Sequence, residues 1–201
     1  MKRLFAALKI YPDETFLSSY RKLKAALYHE KINWVAEQNI HITLKFFGET
    51  DERKIPGICS VLNDRAETSS QLSLQLIGLG IFGSSYAPKV IWVGIEPFGQ
   101  ISFLMKNIHT DLAAVGYDND RQNLVPHLTL GRIKFLKDKI LFQHTIDQYK
   151  RISSVPIGIS EIILYESILH REGPEYVELN KFPFKKKNSP DHLSAYQGSR
   201  Q

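Results

Sequence analysis

The sequence predicts an α+β protein built from two related halves, and two observations support this prediction. Segments of alternating apolar and polar residues, typical of strands, are separated by segments with apolar residues at helical spacing. In addition, residues 38–48 resemble residues 122–132, because each has Gln-Asn, then His-x-Thr-Leu, then a glycine. The histidines, His41 and His127, are 86 residues apart, close to half of the ordered chain. We therefore predict a single bilobal domain over residues 1–184 whose lobes are related by a pseudo-twofold axis.

The composition is that of an ordinary globular protein, with 201 residues, 43% hydrophobic and 23% charged. The single cysteine, Cys59, excludes an intrachain disulfide framework and a multi-cysteine metal site, and indicates a reducing compartment. No run of about 18 apolar residues is present, so no membrane span is expected. The apolar stretch at the start is too short for a signal peptide. We therefore expect a cytoplasmic protein, with a monomer as the default.

The positive charge is concentrated at the end of the chain. The net charge is +5, and residues 185–201 contribute +3 of it. This segment lacks hydrophobic periodicity, so it is predicted to be a flexible basic tail. The overall charge is compatible with an anionic substrate or a nucleic acid but requires neither.

The predicted elements follow one another with turn residues between them. Helices are predicted where apolar residues recur every three or four positions, as at Phe16, Tyr20 and Leu23 after Asp13. Strands are predicted where apolar and polar residues alternate. In chain order these are strand 3–10, a helix opening at Pro12 and Asp13, a short strand at Trp34 and Val35, strand 40–49, helix 51–66, strands 72–80 and 89–95, helix 99–115, loop 117–126, strand 127–133, helix 136–150, and strands 157–166 and 175–181.

Both His-x-Thr-Leu motifs lie in predicted strands, where each histidine shares a face with its threonine. One copy would carry little weight, whereas two copies that each follow Gln-Asn indicate catalysis. Strict alternation in the first motif strand, ended by Gly48, predicts one face of Ile40, Ile42, Leu44 and Phe46 and an opposite face of His41, Thr43, Lys45 and Phe47.

Two histidine–threonine pairs suit displacement at phosphorus. An imidazole has an ordinary pKa of roughly 6.5, so one ring can accept a proton while another donates one. Threonine hydroxyls can donate hydrogen bonds to phosphodiester oxygens without adding charge. An in-line displacement places base and acid on opposite sides of phosphorus, which two related lobes can supply without a metal ion or cofactor. The motif spacing leaves the acid and base roles of His41 and His127 interchangeable.

The sequence resembles the two-histidine (2H) phosphoesterase superfamily, and within it the RNA 2′,3′-cyclic phosphodiesterases, also called 2′-5′ RNA ligases. Besides the two motifs, the resemblance rests on the segments RLFAAL, FFGE, PKVIWVGI, PHLTLGR, LYESIL and GPEYVEL within residues 2–182. It implies two antiparallel sheets around a central cleft with helices outside. It also implies metal-independent hydrolysis of RNA terminal 2′,3′-cyclic phosphate to a 2′-phosphate. Carried over by motif, His41 is the proton donor, His127 the proton acceptor, and Thr43 and Thr129 hold the phosphoryl oxygens.

Four further positions are candidates for the site. Arg132 occupies a place where this branch often has an arginine. Simple alternation puts it on the face opposite His127, so a phosphate contact requires the strand to bend or bulge at Gly131. Lys45 is a weaker candidate for the site. Phe47 or Phe82 could contact a base, although such aromatic residues more often cover the edge of a core.

Several alternatives remain open at the level of function. The expected partners are RNA ends or nucleotides with a 2′,3′-cyclic phosphate. The same site run in reverse would join such an end to a 5′-hydroxyl as a 2′-5′ linkage. A cyclic phosphodiesterase acting on a small nucleotide and a non-catalytic RNA- or nucleotide-binding module are the other candidates. The remaining histidines are given structural or solvent-exposed roles rather than metal binding: His29, His109, His144, His170 and His192.

Overall fold

Nine strands and four α-helices make up the computed structural model, which describes residues 1–84, 86–117, 125–171 and 173–185. Within these ranges, no helix has the length and apolarity needed to cross a membrane. Most of the predicted loop 117–126 and all but one residue of the predicted tail lie outside the described residues. The elements are β1 (Lys2–Lys9), α1 (Glu14–Ala26), β2 (Lys31–Trp34), β3 (His41–Thr50), α2 (Ile55–Glu67), β4 (Leu72–Gly83), β5 (Pro88–Glu96), α3 (Phe98–Ala114), β6 (Leu128–Phe135), α4 (Lys139–Gln148), β7 (Ile157–Ile159), β8 (Glu161–His170) and β9 (Gly173–Pro183).

The α+β class with antiparallel sheets is confirmed. The strands run in the order β7-β4-β5-β6-β3-β1-β8-β9, with β2 also paired to β6. One group therefore consists of β7, β4, β5, β6 and β2, and the other of β3, β1, β8 and β9. A single residue pair, Ile42 with Leu128, joins the two groups into one curved sheet. The predicted pair of sheets is thus a continuous sheet whose two halves meet at the two motifs.

The helices bury their apolar faces against the core side of this sheet. In α1, the Asp13 carboxylate accepts hydrogen bonds from the backbone N–H groups of Thr15 and Phe16 and so caps the helix. Phe16 and Tyr20 are fully buried in the main core, together with Ile42 and Leu128. Ile42 and Leu128, at the second position of each motif, therefore pack into the core beneath the sheet.

One predicted strand is wrong, and the first residue of the predicted tail is hydrogen-bonded to the body of the protein. The predicted strand 157–166 is two strands, β7 and β8, because residues 157–159 pair with β4 in one half of the sheet whereas β8 pairs with β1 in the other. The basic tail was predicted to begin at Lys185, but this residue forms a parallel bridge with Ser70, and its backbone N–H donates to the carbonyl of Ser69.

The fourth residue of each motif is a β-bulge. In β3, Thr43 pairs with Ala7 and Lys45 with Ala6, so Leu44 has no partner across the ladder. In β6, Thr129 pairs with Trp92 and Gly131 with Ile91, which leaves Leu130 in the same situation. Each bulge puts two successive buried residues in its strand and reverses the alternation beyond it.

The bulge at Leu44 overturns the predicted faces in the second half of β3. Lys45 is buried, with 5% of its surface exposed, and does not line the cleft with His41. Phe46 points into the cleft, whereas Phe47 packs on the core against Tyr117. The strand also continues past Gly48, which adopts a positive φ of 70°, and ends at Thr50.

Candidate active site

The pairing of Ile42 with Leu128 brings the two motifs together. Both side chains are fully buried, so their neighbours along each strand point to the opposite face of the sheet. Antiparallel register then sets His41 across from Thr129 and Thr43 across from His127. His41 and His127 are therefore diagonal neighbours across the junction, and diagonal neighbours in a sheet have Cβ atoms about 7–8 Å apart. The two histidines thus stand on one face, on either side of the junction between the sheet halves.

Both imidazoles are held by the same local hydrogen bond. His41 Nδ1 lies 2.6 Å from the carbonyl oxygen of Asn39, and His127 Nδ1 lies 2.7 Å from that of Val125. Because a carbonyl only accepts, Nδ1–H is the donor in each case. Nε2 is therefore the atom of each ring that is available to gain or lose a proton.

The surroundings of the two rings differ. His41 packs between Phe5 and Tyr176, with ring centroids 5.0 and 5.4 Å away, and its Nε2 lies 3.1 Å from Thr43 Oγ1. The His127 ring meets the edge-on ring of Phe82 at 4.7 Å, and Phe82 in turn stacks on Trp92. Aromatic rings thus restrict both imidazoles, but they come from different strands.

These surroundings lower both histidine pKa values. Burial lowers the pKa of His41 to about 4, and the nearby cations Lys9 and Arg132 and the imidazole of His127 act in the same direction, while the Asn39 carbonyl opposes them. Burial and Arg132 also lower the pKa of His127, against the opposing effect of the Val125 carbonyl. Both rings are therefore neutral at pH 7 in the unliganded protein.

The bulge at Leu130 turns Arg132 toward the cleft, while a phosphate contact by Arg132 stays a prediction. Because it reverses the alternation, Arg132 lies on the same face as Thr129 and lines the cleft. The carbonyl of Leu130 accepts a hydrogen bond from the Val35 N–H, and the buried hydroxyl of Tyr20 lies 3.0 Å from it. The sequence predicted a bend at Gly131, and the structure has the bulge one residue earlier, at Leu130.

The corresponding bulge in β3 has a different buried partner. His109 on α3 is 5% exposed, and its Nε2 lies 3.0 Å from the carbonyl oxygen of Leu44. This geometry agrees with the structural role predicted for His109. Among the described residues, no group of three or more His, Cys, Asp or Glu side chains is arranged to hold a metal ion.

A cleft of about 400 Å³ opens above these residues. Four predicted site residues contribute to its lining, whereas His127 stands beside Phe82 rather than among the residues that line this cavity. Sequence reasoning missed the other eight of the twelve described residues that line it. The alternation of β1 could have indicated one of them, Arg3, but nothing in the sequence marks the bulge that turns Phe46 inward or the fold-back of β9 that brings in Tyr176. The predicted contributors are His41, Thr43, Thr129 and Arg132, and the missed ones include Arg3, Phe46 and Tyr176.

Comparison with known proteins places the chain in a family. Residues 10–92 match the family model described as LigT like phosphoesterase. The chain is 33% identical over 175 residues to the RNA 2′,3′-cyclic phosphodiesterase of Methanocaldococcus jannaschii, covering 87% of this chain and 96% of that one. It is 31% identical over 151 residues to the protein of the same name from Thermotoga maritima, covering 75% and 79% of the two chains.

Solved structures show the same fold. TT0787 of Thermus thermophilus superposes with a TM-score of 0.74 at 22% identity, covering 92% of this chain and 99% of that one. Escherichia coli LigT complexed with 3′-AMP gives a TM-score of 0.67 at 22% identity, with coverage of 91% and 98%. The chain therefore belongs to the LigT-like phosphoesterases, a branch of the 2H phosphoesterases, and is a hydrolytic enzyme, as its motifs predicted.

Proposed function

We propose that this enzyme hydrolyses the 2′,3′-cyclic phosphate at the end of an RNA to a 2′-phosphate. The observation that carries the proposal is the Ile42–Leu128 junction, which sets two histidine–threonine pairs on one face of the sheet. The relatives from Methanocaldococcus jannaschii and Thermotoga maritima are both named RNA 2′,3′-cyclic phosphodiesterase, which supports this substrate. A cleft of about 400 Å³ is large enough for a nucleotide.

In the proposed reaction, the cyclic phosphate lies between the two Nε2 atoms. Neutral His127 takes a proton from a water molecule, whose oxygen forms a new bond to phosphorus. The bond from phosphorus to the ribose 3′-oxygen breaks, and protonated His41 donates its proton to that oxygen. Solvent then exchanges the protons, which restores both rings. The assignment of donor and acceptor follows the family resemblance, because the pairing at the junction does not by itself distinguish the two roles.

The remaining groups act on the charge of the phosphate. Thr43 and Thr129 donate hydrogen bonds to its non-bridging oxygens, and Arg132 supplies a positive charge beside them. The bound anion also accounts for how the donor becomes protonated at neutral pH. A donor whose pKa is about 4 in the free protein is uncharged at pH 7, but a phosphate anion next to it stabilises the protonated ring and raises its pKa.

The test is an assay in EDTA with an RNA oligomer ending in 2′,3′-cyclic phosphate, and with the corresponding cyclic mononucleotide in a second arm. We expect EDTA-resistant conversion to a 2′-phosphate, identified by ³¹P NMR. A third arm adds an RNA with a 5′-hydroxyl to measure ligation, which we expect to be minor because a hydroxyl competes with water only when it is bound and oriented.

Each other outcome contradicts a stated part of the proposal. Turnover of the mononucleotide alone would point to a small-nucleotide phosphodiesterase, and binding without turnover to a non-catalytic module. Loss of activity in EDTA would refute the metal-independent mechanism.

We also propose that the enzyme acts as a cytoplasmic monomer and that residues 1–184 form one bilobal domain.

A further inference from the structure

A second cavity adjoins the catalytic cleft. It has a volume of about 620 Å³ and lies between the segment after β2 and the hairpin that joins β8 to β9. It shares Val35, Arg132, Pro174 and Tyr176 with the cleft, so the two cavities meet along these residues. We call this second cavity the amide groove, after the side chains that it adds: Asn33, Gln38 and Asn39.

The amide groups suit the edges of nucleobases. Asn33 pairs with Arg132 across β2 and β6, so both side chains stand on the same face of the sheet. Asn39 Nδ2 donates to the carbonyl of Pro174 at 3.1 Å and ties the two walls of the groove together. A carboxamide both donates and accepts hydrogen bonds, as the Watson–Crick and Hoogsteen edges of unpaired RNA bases require.

The cleft has two ends, and the charges at the end next to the amide groove are the more suitable for binding a phosphodiester. At the groove end, Arg132 lies at the boundary of both cavities, and Lys9 donates to the backbone carbonyl of Gln38. The carboxylate of Glu175 is held by His170 at 2.8 Å. At the opposite end, the guanidinium of Arg3 lies over the ring of Phe46, and the residue paired with Arg3 across β1 and β3 is the acidic Glu49.

We propose that the amide groove holds the nucleotide that precedes the terminal one, with Arg132 beside the phosphodiester that links the two. This inference rests on the proposed function and deepens it, because it assigns a binding site on the protein to the RNA nucleotide before the terminal one. Asn33 and Gln38 then bind the penultimate nucleoside and have no contact with a cyclic mononucleotide.

The experiment compares kcat/KM for a dinucleotide ending in 2′,3′-cyclic phosphate with that for the 2′,3′-cyclic mononucleotide. The wild-type enzyme should prefer the dinucleotide by about tenfold or more, the value of one or two net hydrogen bonds to a ligand. Asn33→Ala and Gln38→Ala should each reduce this preference by about threefold or more, with little change for the mononucleotide. Asn33→Asp keeps the size of the side chain but repels a phosphate, so it should reduce the preference further.

Arg3→Ala is the matched variant for the opposite end of the cleft, and circular dichroism and thermal unfolding check that every variant folds. The inference is overturned if the wild type shows no dinucleotide preference, or if Arg3→Ala abolishes the preference while the Asn33 and Gln38 variants keep it. In both cases the dinucleotide is still hydrolysed, so the proposed function survives. If neither substrate is hydrolysed, the proposed function fails and the inference fails with it.

Discussion

The two motif regions share their local geometry but not their environment. In each, the histidine Nδ1 is tied to the carbonyl two residues earlier and the leucine is a bulge. Around His41, however, the rings of Phe5 and Tyr176 and a hydroxyl at 3.1 Å surround the imidazole, whereas His127 stands beside Phe82 outside the main cleft. The duplication therefore preserves how each ring is oriented, while the neighbouring strands decide how each ring titrates.

This difference bears on the division of labour. An environment that disfavours the charged ring keeps His41 neutral in the free enzyme. In the proposed mechanism, the same environment makes His41 a strong proton donor once the bound phosphate has raised its pKa. The same imidazole can thus have opposite protonation states before and after binding. The following predictions probe how far the two halves differ, in order of decreasing effect.

The largest effect is expected from removing either imidazole. His41→Ala and His127→Ala should each lower kcat by at least about 10², the scale of general acid–base catalysis. Because the two rings act as a unit, the double variant should be little worse than the poorer single one. Steady-state hydrolysis of the RNA oligomer measures this, with His144→Ala on the exposed face of α4 as control. Near-normal turnover by either single variant would refute the mechanism.

The threonines should matter less, and unequally. Thr43→Val and Thr129→Val each remove one hydrogen bond to a charged phosphate, so we expect losses of about 10- to 100-fold, mainly in kcat. Thr43 also donates to neutral His41 Nε2, so its loss should raise the pKa of His41. Thr129→Val should leave unmoved the limb of the pH profile that reports His41. Identical pH profiles for the two variants would contradict this asymmetry.

The pH dependence of kcat/KM should differ from that of kcat, because kcat/KM reports the pKa values of the free enzyme and kcat those of the enzyme–substrate complex. Both histidine pKa values lie below the ordinary 6.5 in the free enzyme, so the form with one protonated ring declines as the pH rises. Because both pKa values are lowered, we expect the fall in kcat/KM to begin below pH 6.5 and to reach up to tenfold per pH unit. The alkaline limb of kcat should lie at higher pH, because the bound phosphate raises the pKa of the donor. A kcat/KM that stays level up to pH 8 would contradict the burial effect.

The smallest effect is expected at the bulges. Tyr20→Phe removes the hydroxyl near the carbonyls of Val35 and Leu130 but keeps the aromatic packing in the core. We expect a loss of about 1 kcal/mol in the free energy of unfolding and a several-fold rise in KM, because the bulge sets the position of Arg132. Urea unfolding and steady-state kinetics measure the two effects. An unchanged KM in the destabilised variant would show that Arg132 does not depend on this contact.

Much of the fold was predictable because strands and helices each leave a local pattern of apolar residues in the sequence. Alternation identified the motif strands, and helical spacing after Asp13 identified α1 with its buried Phe16 and Tyr20. The bulges were not predictable, since a residue without a ladder partner looks the same in sequence as any other strand residue. That is why the prediction put Phe46 in the core and Lys45 on the cleft side, and why Arg132 was left open.

By itself, the sequence determined the repeated histidine and threonine residues, the alternation that puts each pair on one face, and the family to which they belong. These are local properties, set by residue type and by the two-residue period of a strand. Only the tertiary structure decided that Ile42 pairs with Leu128, that both leucines bulge, and that β9 brings Tyr176 over His41. Those features depend on pairing between distant strands, and a long-range register is settled by what the whole core can bury.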